Sequence, residues 1–255
     1  MTRVVIARDA VEAGDVAGDR LAEVVRAHRR PVLGFATGST PTTVYRSLAR
    51  RVREGEVDVA ALSGFALDEY VGLPAGHPES YRSVIDRDVV EPLGLRPGAV
   101  LVPDGSASRT DEAAREYDDA IRAAGGVHLQ LLGIGSNGHI GFNEPGSSLA
   151  SRTRVKRLSA ATRADNARFF DRLDDVPTHC VTQGLGTILE AEELLLLAFG
   201  ESKAAAVAAA VEGPVSSGCP GSVIQLHPRV TVILDQGAAS RLAHREYYEA
   251  ERVGR

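Results

Sequence analysis

Leu131-Leu-Gly-Ile-Gly-Ser-Asn-Gly-His-Ile-Gly-Phe-Asn-Glu-Pro-Gly146 is the stretch on which the fold reading turns. The apolar run 129–134 has the length and leucine content of a buried strand. It gives way to glycines at 133, 135, 138 and 141, with Asn137, His139 and Glu144 set among them. Glycine reaches backbone angles closed to other residues and lets a ligand approach the main chain. A loop of this kind just past a strand end is where an open α/β sheet places its chemistry. A plain turn with an incidental histidine is the alternative; three competent side chains grouped amid glycine favour a working site.

Two other readings of the stretch fail. Gly133-Ile-Gly135-Ser-Asn-Gly138 fits the dinucleotide fingerprint only in its spacing. That fingerprint must open a helix and be followed about 20 residues on by an acidic side chain. Gly141 and Pro145 interrupt any immediate helix, and Arg152, Arg154, Lys156 and Arg157 stand where the acid belongs. For a metal site there is no H-E-x-x-H, no cysteine pair at zinc spacing and no carboxylate cluster beside His139.

Outward from this loop, short β-branched or leucine-rich runs alternate with amphipathic segments. Strands are expected over 4–7, 32–35, 63–67, 99–103, 129–134, 194–199 and 230–234. Helices are expected over 18–29, from the 36–41 loop to about 54, and over 110–124, 160–170, 202–211 and 238–250, with Thr110 as the cap signal of the third. Such alternation means βα units, a mostly parallel sheet and helices on both faces. No internal repeat or low-complexity linker divides residues 1–255, so one domain is expected.

Bulk properties narrow the function. The 255 residues suffice for a substantial core, with 44% hydrophobic and 25% charged residues. A formal charge of −5 argues against a general nucleic-acid binder. No run approaches the ~18 apolar residues of a membrane span, and the N-terminus lacks a signal-peptide core. Cys180 and Cys219, with no C-x-x-C, read as buried thiols of a reducing compartment, and the cytoplasm is expected.

Three further candidates follow other strands. In Ala36-Thr37-Gly38-Ser39-Thr40-Pro41, glycine and hydroxyl residues precede a helix, whose N-terminus favours an anion. It is no Walker A loop and suits a single phosphate monoester; a plain cap by Thr40 with Pro41 at the first helical position explains it equally well. Asp68, in Leu67-Asp-Glu-Tyr70, could act as a base if a partly closed pocket raised its pKa, although solvated turn acids are commoner. Arg168 and Lys203 are candidate phosphate ligands; a cation at a helix N-terminus opposes the dipole unless an anion joins it. His77 reads as a turn residue.

These segments, together with Leu67-Asp-Glu-Tyr-Val-Gly-Leu-Pro74, His77-Pro-Glu-Ser-Tyr81, Ser147-Ser-Leu-Ala-Ser-Arg-Thr-Arg154, Asn166–Phe170, Gly184-Leu-Gly-Thr187 and Gln225-Leu-His-Pro228, resemble the glucosamine-6-phosphate deaminase family over most of the chain. The resemblance implies a Rossmann-like α/β three-layer sandwich that converts glucosamine 6-phosphate and water to fructose 6-phosphate and ammonia, with no organic cofactor. It implies Asp68 as the base that moves the C2 proton to C1, and His139 as the group assisting ring opening, with Asn137 and Glu144 orienting it. Thr37, Gly38, Ser39, Thr40, Arg168 and Lys203 would hold the phosphate. Many relatives carry Asp where this chain has Asn137, which predicts a lower His139 pKa here.

Some bacterial members form hexamers activated by N-acetylglucosamine 6-phosphate between subunits, and Ser147, Arg154, Lys156 and Tyr247 match that pattern. Arg157 stands where those enzymes usually have Thr, so a merely basic, solvated strand remains the equal alternative. A lid is expected at about 160–182. Two other functions share the fold: a 6-phosphogluconolactonase-like hydrolase, which needs no C2 base, and a non-catalytic sugar-phosphate-sensing domain.

Overall fold

The computed structural model describes residues 2–106 and 109–253. In chain order its strands are β1 (Thr2–Ile6), β2 (Val32–Phe35), β3 (Ser63–Ala66), β4 (Asp68–Tyr70), β5 (Val100–Leu101), β6 (Leu129–Gly133), β7 (Arg154–Arg157), β8 (His179–Thr182), β9 (Leu194–Ala198) and β10 (Val230–Leu234). Its α-helices are α1 (Ala10–Ala27), α2 (Thr42–Arg53), α3 (Tyr81–Ile85), α4 (Glu91–Leu93), α5 (Thr110–Ala123), α6 (Ala160–Asn166), α7 (Leu185–Leu189), α8 (Ala204–Val211) and α9 (Arg245–Val253).

Seven strands form one parallel sheet in the order β1-β10-β9-β6-β2-β3-β5. Successive side chains of β6 and β9 point to opposite faces, and both faces are covered. Leu131 and Leu195 pack with Leu21 of α1 and Leu48 of α2. Leu132 and Leu196 pack on the other face with Tyr117 of α5 and Val207 of α8. The result is the three-layer α/β sandwich that the alternation implies.

Sheet order decides where a ligand can go. The chain runs β2, β3, β5 toward one edge, then returns to place β6 on the far side of β2 before continuing through β9 and β10. The loops after β2 and β6 therefore leave in opposite directions and open a crevice at the carboxyl ends of the strands. β3 and β9 flank this pair, so the segments after them border the same crevice.

The expected strands all form, with ends differing by a few residues. α1 begins at Ala10 rather than 18, capped by the Asp9 side chain, which accepts from the amides of Val11 and Glu12. Gly14 and Gly18 resemble breakers in one dimension; here they let α2 approach, since a Cβ at 14 would stand 2.6 Å from that of Thr43. Thr110 is not the cap of α5, because Arg109 occupies that position and offers no side-chain hydrogen bond. The last helix starts at Arg245 instead of 238 because the Glu212 carboxylate, at the end of α8, accepts from the amides of Ala243 and His244.

A second sheet, antiparallel in the order β4-β8-β7, has no counterpart among the sequence expectations. Its strands are three or four residues long, and β4, which ends at Tyr70, pairs with β8, which begins only at His179. It fastens Asp68 opposite Thr182 at the edge of the crevice.

Leu131 is fully buried in the central strand. Leu131→Ala should cost about 2–5 kcal/mol, read as a lower urea midpoint at unchanged m-value. A loss under about 1 kcal/mol would mean that this layer collapses around the void.

Candidate active site

The loop after β2 leaves its backbone amides open. α2 begins at Thr42, with Pro41 in the cap position and no side-chain cap, so Thr40 does not play that role. Thr42 Oγ1 donates to Ser39 O at 2.5 Å and Thr43 Oγ1 to Thr40 O at 3.3 Å, which turns these hydroxyls toward carbonyls. Gly38 has φ +100°, in the region that favours glycine. Among the described residues none accepts a hydrogen bond from the amides of Thr37, Gly38, Ser39 or Thr40. Four free amides at the positive end of a helix suit a phosphate.

Beside it, the loop after β6 holds the imidazole. Gly135 N donates to His139 O at 2.9 Å and Gly138 N to Gly135 O at 3.0 Å, closing a tight turn. The ring lies on bare backbone: a Cβ on Gly135 would overlap it. His139 Nδ1 is 2.7 Å from Asn137 Oδ1, and Asn137 Nδ2 donates to Glu144 Oε2 at 2.8 Å. With Asn137 oxygen as acceptor, neutral His139 carries its proton on Nδ1 and Nε2 is the basic nitrogen.

Burial pushes the His139 pKa down; the Glu144 charge opposes this and Lys203 reinforces it. Burial alone would raise Glu144, but hydrogen bonds from Thr162 and Asn137 and the imidazole nearby carry it below the usual range.

Asp68 and its neighbour divide two tasks. Glu69 Oε1 accepts from the amides of Tyr70 and Tyr81, and Oε2 from Arg82, so this carboxylate fastens the start of α3. Asp68 is only 5% exposed, and no described residue donates to its carboxylate. Burial, then the adjacent Glu69 charge, drives its pKa well up. Gly141, at φ +53°, passes beside it; a Cβ there would sit 3.5 Å from Asp68 Oδ2.

One cavity of about 690 Å³ gathers these groups: Thr37 to Thr40 after β2, Asp68 after β3, His139 after β6 and Lys203 after β9 line it. Its size suits a small ligand, for which pockets run ~300–1,000 Å³. Arg168 joins from the 3₁₀ turn after α6, its guanidinium 4.7 Å from the Phe169 ring. Lys203 closes the 3₁₀ turn ahead of α8, with its pKa lowered by burial. Asn137 and Glu144 stand behind the imidazole rather than on the cavity wall. A buried unpaired acid, a neutral imidazole and an anion site on one small cavity can move protons on a phosphorylated substrate.

Tyr81 ends the 72–81 segment, read from the sequence as able to line a pocket, and does so; other wall residues were not singled out, among them Arg87, Thr162, Asp165 and Asn166. The signal for the last three was available: spacings of three and four put them on one face of α6. His77 is a turn residue, accepting the Glu79 amide at its Nδ1. Ser147 and Arg154 lie away from the cavity; Ser147 Oγ and Arg154 Nη2 are buried with no partner. Lys156 follows on β7, and Tyr247 lies on α9 with its ring edge-on to Tyr248.

Among the described residues, His28, His128 and Glu192 could bring metal-ligand atoms within 4.8 Å of one another, at the amino ends of β2, β6 and β9. His128 Nδ1 accepts the Val32 amide, which leaves the proton on Nε2 and no lone pair there for an ion.

The sequence model of the family described as glucosamine-6-phosphate isomerases/6-phosphogluconolactonase matches residues 9–233. A glucosamine-6-phosphate deaminase of Streptomyces coelicolor is 56% identical over 246 residues, covering 96% of this chain and 94% of the relative. One from Bifidobacterium longum is 53% identical over 257 residues, covering 97% and 95%. The solved structure of a monomeric glucosamine-6-phosphate deaminase superposes with a TM-score of 0.91 at 38% identity, over 94% of this chain and 99% of that one. A 6-phosphogluconolactonase from Trypanosoma cruzi shares the fold at TM-score 0.77 and 20% identity, over 95% and 97%.

Because the folded chain keeps the Asp68 proton to a higher pH than the unfolded chain, folding loses stability as pH climbs from the ordinary carboxylate value through the raised one. Asp68→Asn removes that loss. Its thermal midpoint should exceed wild type at pH 8 and match it at pH 4; a lower midpoint at pH 8 would refute the burial argument. Asn137→Asp adds negative charge beside His139 and should raise the imidazole pKa in an NMR titration, with a downward move counting against it.

Proposed function

The chain belongs to the glucosamine-6-phosphate isomerase/6-phosphogluconolactonase family, and from that premise we propose that it converts glucosamine 6-phosphate and water into fructose 6-phosphate and ammonia. The observation that carries the reading is Asp68: a buried, unpaired carboxylate with a raised pKa on the same cavity as His139 and the phosphate cradle.

The amides of Thr37, Gly38, Ser39 and Thr40, with Arg168 and Lys203, hold the phosphate and fix the sugar's orientation. The ring must open first, because only the open chain has the C1 carbonyl that acidifies the C2 proton. His139 serves this step: Nε2 of the neutral ring takes the anomeric hydroxyl proton and returns one to the ring oxygen. Asn137 and Glu144 orient it and balance its transient charge. Asp68 then removes the C2 proton and delivers it to C1, turning the aldose amine into a ketose imine. Water adds at C2 and ammonia leaves. A raised pKa makes Asp68 a stronger base toward a weakly acidic C–H.

Hydrolysis of a lactone would leave Asp68 without a task, which separates this reading from the lactonase alternative. The α6 face and the following turn, through Thr162, Asp165, Asn166, Arg168 and Phe169, wall the cavity. This supports a lid over 160–182 that keeps solvent from the enolamine intermediate. No helix of the described residues is long and apolar enough to cross a membrane, and the free thiols of Cys180 and Cys219 suit the cytoplasm.

A second reading concerns regulation. Ser147 Oγ and the Arg154 guanidinium each bury a polar atom with no partner, and burial lowers the Arg154 pKa. Arg154 Nη1 donates to Arg152 O, which leaves Nη2 as the donor without a partner; a buried guanidinium N–H left open favours an anionic effector over a solvated strand. We infer that N-acetylglucosamine 6-phosphate binds there, with Lys156 and Tyr247 completing the site in a hexamer; the related solved enzyme is described as monomeric.

One coupled assay tests both readings. Glucosamine 6-phosphate should yield equal ammonia and fructose 6-phosphate, and Asp68→Asn should lower kcat by about 10²–10⁴-fold with phosphate binding retained. Lactonase turnover surviving that substitution would overturn the first reading. The acetylated sugar phosphate should lower the KM in wild type and not in Arg154→Ala; unchanged kinetics would reduce β7 to a basic surface strand.

A further inference from the structure

Glu144 is tied on both sides. Its Oε2 accepts from Asn137 Nδ2 at 2.8 Å, and so reaches the imidazole through the amide. Its Oε1 accepts from Thr162 Oγ1 at 2.5 Å and from the Ser159 amide at 3.3 Å. Both donors belong to the start of α6: Ser159 is its N-cap, and its Oγ accepts from the Thr162 amide. Ser159 Oγ also lies 3.1 Å from Thr162 Oγ1 and donates to it.

The directions along this chain are determined at every link. Thr162 Oγ1 has one hydrogen and gives it to Glu144, so toward Ser159 Oγ it can only accept. Glu144 accepts at both oxygens, and these donors help carry its pKa below the usual range, so it is ionised at neutral pH. The Asn137 amide must then turn its NH₂ toward Glu144 and its oxygen toward His139, which fixes the Nδ1–H tautomer. Thr162 is 3% exposed and also lines the cavity.

We propose that Thr162 is a positioning residue for His139: its hydroxyl locks the Glu144 carboxylate in the orientation that holds Asn137, so the first turn of α6 and the imidazole form one hydrogen-bonded array. The inference rests on the ring-opening role assigned above to His139. It adds a physical link between the wall of the cavity and the protonation state of that ring. If α6 leaves, Glu144 loses its hydroxyl donor and its ordered amide donor together. The Asn137 amide is then free to rotate, and the tautomer is no longer set. The array is complete only while α6 covers the substrate.

Other charged or titratable groups bear on the pair from separate elements. Lys203 faces His139 from the turn before α8, Asp165 faces it from α6, and Cys180 lies near Glu144 from β8. None of them is bonded to Glu144 among the described residues, so their fields persist when the Thr162 hydroxyl is removed.

Thr162→Val keeps the side-chain volume and deletes the donor; Thr162→Ser keeps the donor and deletes a methyl. Two readouts are measured on each full-length variant: the Glu144 carboxyl titration by ¹³C NMR, which needs no turnover, and kcat, KM and the pH profile with glucosamine 6-phosphate. Thr162→Val should shift the Glu144 titration upward, move the acid limb of kcat, and lower kcat roughly tenfold with a smaller change in KM. Thr162→Ser should restore all three. An unshifted Glu144 titration and unchanged kcat in Thr162→Val would overturn the proposal, as would a loss that Thr162→Ser fails to rescue. If wild type itself does not turn over the sugar, the assigned reaction fails, and the Glu144 titration still decides whether Thr162 controls the array.

Discussion

The side-by-side pairing of β2 and β6 is the constraint from which the rest follows. Leu33 and Gly34 pair with Leu129 and Gln130 in parallel register, while the chain departs from the two strands toward opposite edges of the sheet. Glycine at 34 leaves room for the buried Gln130 side chain in this pairing: any Cβ there would overlap its amide. Parallel strands all present their carboxyl ends on one side, and the reversal between these two leaves a gap there that no crossover covers. The phosphate cradle and the imidazole are simply the first residues past that gap.

Around it, four adjacent strands each contribute one kind of group. β9 leads to Lys203, β6 to His139, β2 to the free amides and β3 to Asp68. In the proposed reaction a cation and the amides take the phosphate at one part of the cavity, while Asp68 and His139 stand on different loops. Their environments push them in opposite senses. Burial raises Asp68, which makes the carboxylate a better base, and lowers His139, which keeps the ring neutral. The separation suits the proposed reaction, in which ring opening and C2 deprotonation take place at different atoms of one small sugar.

Asn137 places a neutral side chain between two titratable ones. Its amide satisfies two neighbours at once, donating to Glu144 and accepting from His139. A carboxylate in its place would face Glu144 with like charge and would lose the donor. The arrangement keeps one formal negative charge behind the ring. It also makes that charge dependent on the hydroxyl and amide of α6, so the catalytic loop and the covering helix are not independent parts.

Much of this was readable in one dimension. The alternation of apolar runs and amphipathic segments determined a parallel sheet with helices on both faces, since both periodicities are local properties. The 131–146 stretch and the 37–40 turn declared themselves because glycine and hydroxyl residues at strand ends leave few other uses. Tertiary structure alone decided the antiparallel β4-β8-β7 sheet, whose short strands carry no periodic signal and whose β4 pairs with the distant β8. It alone decided that Glu69 fastens α3 while its neighbour Asp68 stays unpaired, and that α9 begins where Glu212 meets it. It also joined Thr162 to Glu144. Propensity and pattern act between residues a few positions apart, whereas burial, pKa and hydrogen-bond partnership depend on which distant segments the sheet order brings together.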